Sequence, residues 1–204
     1  MSQDVLELVQ GMDLQDIEMQ IAFQCAPLIA GLKLSNLLMV QNTDTGKVKQ
    51  ILRRTGISYY IVAVTGKKTA VLLYNRQQLE DYLAEKKVQQ LLLEMGYQEL
   101  TLSEVLSYFR VRYQGYMEDG KEFPHEMGLL LGYPIEDVRG FIQNEGENCL
   151  YTGYWKVYEN LSEKVVLFRK FENARETLIQ MLSSGMGLVE IIQNYSLIQN
   201  GCIS

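Results

Sequence analysis

The sequence predicts an α+β fold, in which helices cover a small mixed sheet of about four strands within a single domain. The first observation behind this prediction is that segments with the apolar period of a helix outnumber those with the period of a strand. The second is that β-branched and aromatic residues are concentrated in short runs typical of strands, at 36–40, 57–64, 69–74 and 149–157. The third is that no linker, repeat or low-complexity block divides the 204 residues, a length that suits one domain.

The first third of the chain is predicted to begin with a helix capped by Asp13. This helix is expected to end near Cys25, because Pro27 follows and a proline interrupts helical hydrogen bonding. A second helix, capped by Thr43 or Asp44, separates the first strand from the second. A turn that contains glycine then joins the second strand to the third, as in a β-hairpin.

The middle of the chain is predicted to be helical. Asn75 begins a helical region that ends at Gly96, and its imperfect apolar spacing indicates two helices with a break near Glu85. Thr101 and Glu104 then fit a capping box, in which each side chain bonds a free backbone N–H at the start of the next helix.

Residues 123–158 contain the only His, the only Trp, two of the three Pro and one of the three Cys. Pro124 is expected to open a short helix that Gly132 ends, and Pro134 to open a second helix. From residue 149 the apolar period changes to two, which predicts the fourth strand. The residues expected on one face of that strand are Cys149, Tyr151, Trp155 and Val157.

The last part of the chain is predicted to be helical up to its tail. Asn160 or Ser162 caps a long helix that runs to about Leu182, and a short segment, 188–195, follows a break that contains glycine. Residues 196–204 show no clear pattern, so we expect a loosely held tail.

Several motifs in these segments resemble those of a known family. FPHE-x-G, LGYP-x-EDV-x-GFI-x-N-x-G and GYWKVY follow one another within 123–158, and CAPLIAGLK followed by SNLL spans Cys25–Leu38. In these motifs the chain is similar to an uncharacterised bacterial family, mainly of anaerobic Gram-positive bacteria, known as a domain of unknown function. The resemblance implies a single-domain soluble protein and carries over no established activity. Gln24 stands where members of that family often have a His, which argues against shared Cys–His chemistry at this position.

The composition excludes several classes of protein. The formal charge of −6, from 19 basic and 25 acidic residues, argues against nucleic acid or anionic lipid as a partner. The start, MSQDVLELVQ, lacks the features of a signal peptide, and no window reaches the ~18 apolar residues of a membrane span. The widely spaced Cys25, Cys149 and Cys202 favour reduced thiols, and hence a cytoplasmic protein.

The sharpest enzymatic hypothesis is a Cys25–His125 pair that acts on an acyl or amide bond, with Asp137 or Asn148 orienting the imidazole. It requires the thiol and the ring to lie within a few ångströms of each other and to face a pocket. The predicted position of Cys25 at a helix end argues against it, because the helix dipole there raises the pKa of a thiol. The preferred interpretation is that Cys25 is a small buried apolar residue and that His125 is bonded to a helix terminus.

Two other kinds of site have weaker support. One His and three scattered Cys offer no metal-ligand spacing, and the neighbouring carboxylates of Glu126, Glu136 and Asp137 suit helix starts. The helix pair within 125–144 has the outline of a helix-turn-helix, so an atypical regulator is the second alternative. Arg139 is the one basic residue of its second helix, whereas DNA binding needs several cations.

The leading hypothesis is a cytoplasmic binding or accessory protein. Thirteen Tyr and the Trp supply aromatic rings with polar tips, which suit surfaces that bind ligands or partners. We therefore predict an aromatic-lined surface that faces a small molecule or a protein partner. The residues expected to bind are His125, Tyr133, Tyr154 and Trp155. The sequence specifies neither a cofactor nor an oligomeric state.

Overall fold

Nine α-helices and two small sheets make up the part of the chain that the computed structural model describes, residues 16–199. The helices are α1 (Ile17–Ile29), α2 (Thr45–Leu52), α3 (Arg76–Leu83), α4 (Lys86–Glu94), α5 (Leu102–Asp119), α6 (Glu126–Leu130), α7 (Ile135–Gln143), α8 (Leu161–Ser183) and α9 (Leu188–Gln199). The strands are β1 (Ser35–Gln41), β2 (Ser58–Val64), β3 (Lys68–Tyr74), β4 (Tyr151–Thr152) and β5 (Lys156–Val157), and a 3-10 turn, Asn42–Asp44, precedes α2. None of these helices combines the length and the apolar character needed to cross a membrane.

The predicted α+β class is confirmed, but the main sheet has three strands instead of four. β3 lies in the centre between β1 and β2, and both pairings are antiparallel, so the prediction of a mixed sheet is wrong. The register of β2 against β3 shifts between Ile61 and Ala63. Because a bulge interrupts the alternation of side chains, the consecutive residues Val62 and Ala63 both pack into the same cluster.

Alternate side chains of β3 contribute to two separate apolar clusters. Ala70, Leu72 and Tyr74 pack with residues of α3 to α7, in a cluster that we call the α5-side core. Val71 and Leu73 pack with residues of α1, α2, α8 and α9, in a cluster that we call the α1-side core. Since successive side chains of a strand point to opposite faces, the sheet lies between these two cores.

Helix α1 continues through Pro27, so the prediction that it ends near Cys25 is wrong. A proline has no N–H, and inside a helix it leaves the carbonyl four residues earlier without its usual donor. Here that carbonyl belongs to Phe23, and Arg175 Nε on α8 donates to it at 3.0 Å. The hydrogen bond from α8 therefore replaces the one that the proline removes.

The predicted starts of the helices after β3 are confirmed. Asn75 and Thr101 are the N-caps of α3 and α5, and each side chain accepts from the backbone N–H three residues later, at 3.1 and 3.3 Å. The predicted break falls at Glu85, the N-cap of α4. Helix α1 is capped by Asp16, which accepts from the backbone three residues later at 3.0 Å, whereas the predicted cap, Asp13, lies outside the described residues.

The short helix pair predicted after Pro124 is present as α6 and α7. Gly132 follows α6 with φ +68° and Gly146 follows α7 with φ +78°, which are values that glycine adopts without strain. The buried hydroxyl of Ser35 on β1 donates to the carbonyl of Leu130, which ties the end of α6 to the edge of the sheet.

Residues 149–157 form a hairpin separate from the main sheet, so the prediction of one long fourth strand is wrong. β4 and β5 pair antiparallel, and the chain reverses at Gly153, whose N–H donates to the Trp155 carbonyl at 3.0 Å. A Cβ at Gly153 would lie 2.3 Å from Phe168 Cε2, so this close approach requires glycine. Trp155 is buried whereas Tyr151 is 47% exposed, and the predicted common face of the strand does not form.

Helix α8 ends at Ser183, next to the predicted end at about Leu182, whereas α9 extends beyond its predicted bounds. Asn160, one of the two predicted caps, precedes α8 in a left-handed conformation without a side-chain cap bond. Helix α9 runs to Gln199, so the first part of the predicted loose tail, 196–199, is helical. Residues 200–204 of that tail lie outside the described part of the chain.

Candidate functional site

A pocket of about 230 Å³ lies between α6, α7 and the β4–β5 hairpin. Its lining consists of Phe123, His125, Met127, Gly128, Tyr133, Asp137, Val138, Phe141, Tyr154, Trp155 and Lys156. The structure thus brings together in one cavity the four residues that the sequence predicts for binding. Met127, Tyr133 and Val138 also pack on the α5-side core, so the floor of the pocket belongs to the folded interior.

Trp155 is held in place by contacts with two rings and by one hydrogen bond. Its ring stacks on Tyr133 with the centroids 4.8 Å apart and the planes at 26°, and Phe168 meets it edge-on at 4.6 Å. Its indole Nε1 donates to Asp137 Oδ2 at 2.7 Å, and both residues are buried. A buried indole N–H is costly unless it is bonded, so this carboxylate fixes the orientation of the ring.

Asp137 accepts two further hydrogen bonds, from the backbone N–H groups of Tyr158 at 2.8 Å and Glu159 at 3.2 Å. The carboxylate also lies in the first turn of α7, where the helix dipole favours a negative charge. Asp137 therefore ties α7 to the end of the hairpin. Sequence reasoning gave it the helix-start role and missed its contact with Trp155.

His125 packs its imidazole between two phenyl rings of the pocket. The ring centroids lie 5.5 Å from Phe123 and 5.6 Å from Phe141. Its Nδ1 is buried and has no hydrogen-bond partner among the described residues. An unbonded buried polar atom costs roughly 1–3 kcal/mol, so Nδ1 is a group at which a ligand gains free energy by forming a hydrogen bond.

Lys156 adds a cation to the lining of the pocket. Its Nζ lies 5.9 Å from the centroid of Phe141 and donates to the carbonyl of Gly146 at 2.5 Å. Within residues 16–199 no carboxylate forms an ion pair with Lys156. An ammonium group has three donors, so hydrogen-bonding capacity remains at Nζ.

The two tyrosines of the pocket are neutral near pH 7. Burial raises the pKa of Tyr133 to about 12, and its hydroxyl donates to the carbonyl of Tyr154 at 3.4 Å. Burial, together with a hydrogen bond to Glu172, also raises the pKa of Tyr154. That hydroxyl donates to Glu172 Oε1 at 2.7 Å, so the ring of Tyr154, not its hydroxyl, is available to the pocket.

Gly128 allows α6 and α7 to approach each other at the wall of the pocket. A Cβ at this position would lie 2.9 Å from Val138 Cγ2 and 3.5 Å from Tyr133 Cδ2. Contacts under 3.0 Å force a neighbour to move, and here the neighbours are packed side chains. The glycine of the FPHE-x-G motif therefore has a packing role at the pocket.

The structure does not bring Cys25 into this pocket. Cys25 is fully buried in the α1-side core, and burial raises the pKa of its thiol to about 12. The neighbours of His125 in α6, Leu129 and Leu130, belong to the α5-side core, on the other face of the sheet. A nucleophilic thiol needs a lowered pKa and a base within reach, and this position provides neither a lowered pKa nor a place in the lining of the pocket.

Two polar side chains of the second helix in the predicted helix-turn-helix form intramolecular contacts. Arg139 on α7 forms a two-point ion pair with Glu94 on α4, at 3.0 and 3.3 Å. Asn144 donates to the carbonyl of Gly140 at 2.8 Å. Val138 is buried against the α5-side core, so α7 packs onto the fold with its apolar side.

The carboxylates considered as metal ligands are bonded separately. Glu126 is fully buried and pairs with Arg112 at 2.7 Å, and Glu136 pairs with Lys164 at 2.9 Å. Asp137 binds the indole of Trp155. Over residues 16–199 no three His, Cys, Asp or Glu side chains form a group that could hold a metal ion.

Fold and pocket together define the class of this protein: an α+β domain with a small aromatic-lined cavity at the edge of one core. The chain belongs to the family described as Protein of unknown function (DUF3793), whose family model matches residues 21–192. The resemblance to a domain of unknown function is thereby confirmed. Comparisons with curated proteins and with solved structures find no match for this chain.

Proposed function

We propose that this protein binds a small molecule in the pocket lined by His125, Tyr133, Tyr154 and Trp155. The observation that carries the proposal is His125, which lines the cavity and whose buried Nδ1 has no hydrogen-bond partner in the described chain. An apolar pocket with a few convergent polar groups is the usual form of a ligand site. Here the polar groups are this nitrogen and the ammonium of Lys156.

The fixed position of the pocket walls supports the proposal. Asp137 holds Trp155 by its indole N–H, and the hydroxyl of Tyr82 donates to the carbonyl of Tyr133 at 3.0 Å. Tyr133 and Trp155 are in turn stacked on each other. A ligand that enters such a site orders few side chains, so little of its binding free energy is spent on conformational entropy.

Trp155 provides a direct assay, because it is the only Trp of the chain and it lines the pocket. We expect small aromatic molecules to change its fluorescence in a saturable way, when excitation is chosen to avoid tyrosine. The proposal fails if no molecule in a panel of small aromatic and heteroaromatic compounds gives a saturable change, either in fluorescence or in the NMR signal of the indole N–H.

A matched pair of variants distinguishes binding in the pocket from adsorption to the surface. His125→Phe keeps a ring against Phe123 and Phe141 but removes both nitrogens, so we expect the affinity for a hydrogen-bonding ligand to fall about tenfold. Tyr108→Phe, at a 42% exposed ring on α5 that does not line the pocket, should leave the affinity unchanged. Equal losses in both variants would contradict the proposal.

We place this function in the cytoplasm. The support is that Cys25 and Cys149 are both free thiols, as expected for a protein in a reducing compartment. Nucleic acid is a poor candidate partner, because the net charge is −6 and Arg139 on α7 is paired with Glu94. A gel shift with random DNA at low salt tests this part of the proposal, and clear binding would contradict it.

A further inference from the structure

Within the proposed function, on which this step rests, we infer that the ligand is a small aromatic carboxylate. Its ring would contact Tyr133, Phe141 and Trp155, and its carboxylate would meet His125 Nδ1 and Lys156 Nζ. The inference draws on three features of the pocket: its size, its walls and the charge of its unbonded polar groups.

The size of the pocket restricts the part of a ligand that it encloses to about one ring. A volume of about 230 Å³ equals that of about eight water molecules in the liquid, which suits a single aromatic ring with a short substituent. Pockets for drug-sized molecules are larger, at roughly 300–1,000 Å³. A dinucleotide, a long acyl chain or a peptide segment therefore does not fit inside.

The walls favour a flat, apolar body. Phe123, Tyr133, Phe141, Tyr154 and Trp155 contribute five aromatic rings to the lining. Aromatic rings attract one another in offset and edge-on arrangements, which adds about 0.5–1.5 kcal/mol per pair beyond the burial of area. A planar ring gains this contribution, whereas a saturated ring of equal size does not.

The polar groups favour an anionic substituent on the ring. The imidazole of His125 and the Nζ of Lys156 both lie within 6 Å of the centroid of Phe141, at 5.6 and 5.9 Å, and both residues line the cavity. Nζ carries a positive charge that no described carboxylate pairs with, and Nδ1 donates when it is protonated. A carboxylate accepts from either group, and hydrogen bonds between charged groups are the stronger kind.

A cationic ligand is disfavoured for the converse reason. It would enter a site that already holds the ammonium of Lys156. The one acidic residue of the lining, Asp137, already accepts hydrogen bonds from three donors. The carboxylate of Asp137 thus positions Trp155, and its oxygens have little capacity left to accept hydrogen bonds from a ligand.

Three probes of similar size test the inference by titration against Trp155 fluorescence. Benzoate is planar and anionic, benzyl alcohol is planar and neutral, and cyclohexanecarboxylate is anionic without a flat ring. We expect benzoate to bind at least about fivefold more tightly than either of the others. Lys156→Met should remove that advantage over benzyl alcohol, whereas Lys170→Met, at an exposed lysine of α8 outside the pocket, should preserve it.

The outcomes separate this inference from the proposed function. If benzyl alcohol binds as tightly as benzoate, or if Lys156→Met weakens the binding of both compounds equally, the inference of a carboxylate ligand is wrong. The pocket itself then remains a ligand site. If another aromatic compound of the panel binds and benzoate does not, the inference again fails alone. If no aromatic compound binds at all, both the inference and the proposed function are wrong.

Discussion

Replacement of Asp137 tests whether the wall of the pocket is built as the structure indicates. Asp137→Ala removes three hydrogen bonds at once: one from the buried indole of Trp155 and two from the backbone of Tyr158 and Glu159. A bond to a charged acceptor contributes roughly 1.5–3 kcal/mol where water cannot replace it, as at the indole. The two backbone donors lie nearer the surface and add roughly 0.5–1 kcal/mol each.

The expected loss in the free energy of unfolding is therefore about 3–4 kcal/mol for Asp137→Ala. For a chain of this length the loss corresponds to a decrease in Tm of about 10 °C. Asp137→Asn keeps the shape and one acceptor oxygen, so about half of that loss is expected. Urea unfolding followed by circular dichroism measures the free energy, and the indole N–H signal reports on Trp155 itself.

Asp81→Ala is the matched control, because among residues 16–199 its exposed carboxylate accepts only from Gln77, one helical turn away. We expect a change within about 0.5 kcal/mol there. If Asp137→Ala were as mild as this control, or if the indole signal did not move, Asp137 would not be the residue that holds Trp155 in place, and the reasoning would be refuted.

Three further predictions concern packing, reactivity and pH. Gly140→Ala places a Cβ 2.5 Å from Tyr158 Cγ, so urea unfolding should show that the free energy of unfolding falls by about 1–3 kcal/mol. Gly46→Ala, in open space on α2, should raise this free energy by about 0.5–1 kcal/mol. An increase in both variants would refute the packing argument. In a variant whose sole cysteine is Cys25, alkylation of the native protein should be roughly a thousandfold slower than that of the unfolded chain, because burial raises the pKa of this thiol to about 12. Rapid labelling of the native protein would contradict this prediction and would support the enzymatic hypothesis. Burial lowers the pKa of Lys33 from 10.5 to about 8, so between pH 8 and 9 the unfolded state binds more protons at this residue than the folded state does. The free energy of unfolding should therefore rise with pH in this range, relative to that of Lys33→Met. Parallel curves of this free energy against pH for the two proteins would contradict the shift.

The helix starts could be predicted because they depend on neighbouring residues. Asn75 and Thr101 accept hydrogen bonds from backbone groups three residues later, and this chemistry is written in the local sequence. The break at Glu85 was visible because the apolar spacing changes there. The region of the pocket could be predicted for a related reason: rare residue types concentrate where shape or chemistry demands them, between 123 and 158.

Features that depend on distant residues could not be predicted. Pro27 lies inside α1 because Arg175, 148 positions further along the chain, satisfies the carbonyl that the proline leaves free. The hairpin at 149–157 has the same two-residue period as a single strand, and its turn lacks the Asn-Gly signal of a tight hairpin. The reversal of the hairpin depends on the close approach of Gly153 to Phe168, a residue of α8.

The pocket shows the same limit for individual side chains. Asp137 suits a helix start so well that the local sequence gave no reason to expect its bond to Trp155, 18 positions later. Phe123, Phe141 and Lys156 were missed as lining residues, because only the folding of the hairpin onto α7 brings them to one cavity.

The nitrogen NMR spectrum of the imidazole tests the central claim most directly, since His125 is the only His of the chain and gives one pair of ring signals. On addition of saturating benzoate we expect the Nδ1 signal to move more than the Nε2 signal, because the buried Nδ1 gains its first hydrogen-bond partner. An unchanged Nδ1 signal while Trp155 fluorescence responds would show that the ligand binds elsewhere, and the account of this pocket would be contradicted.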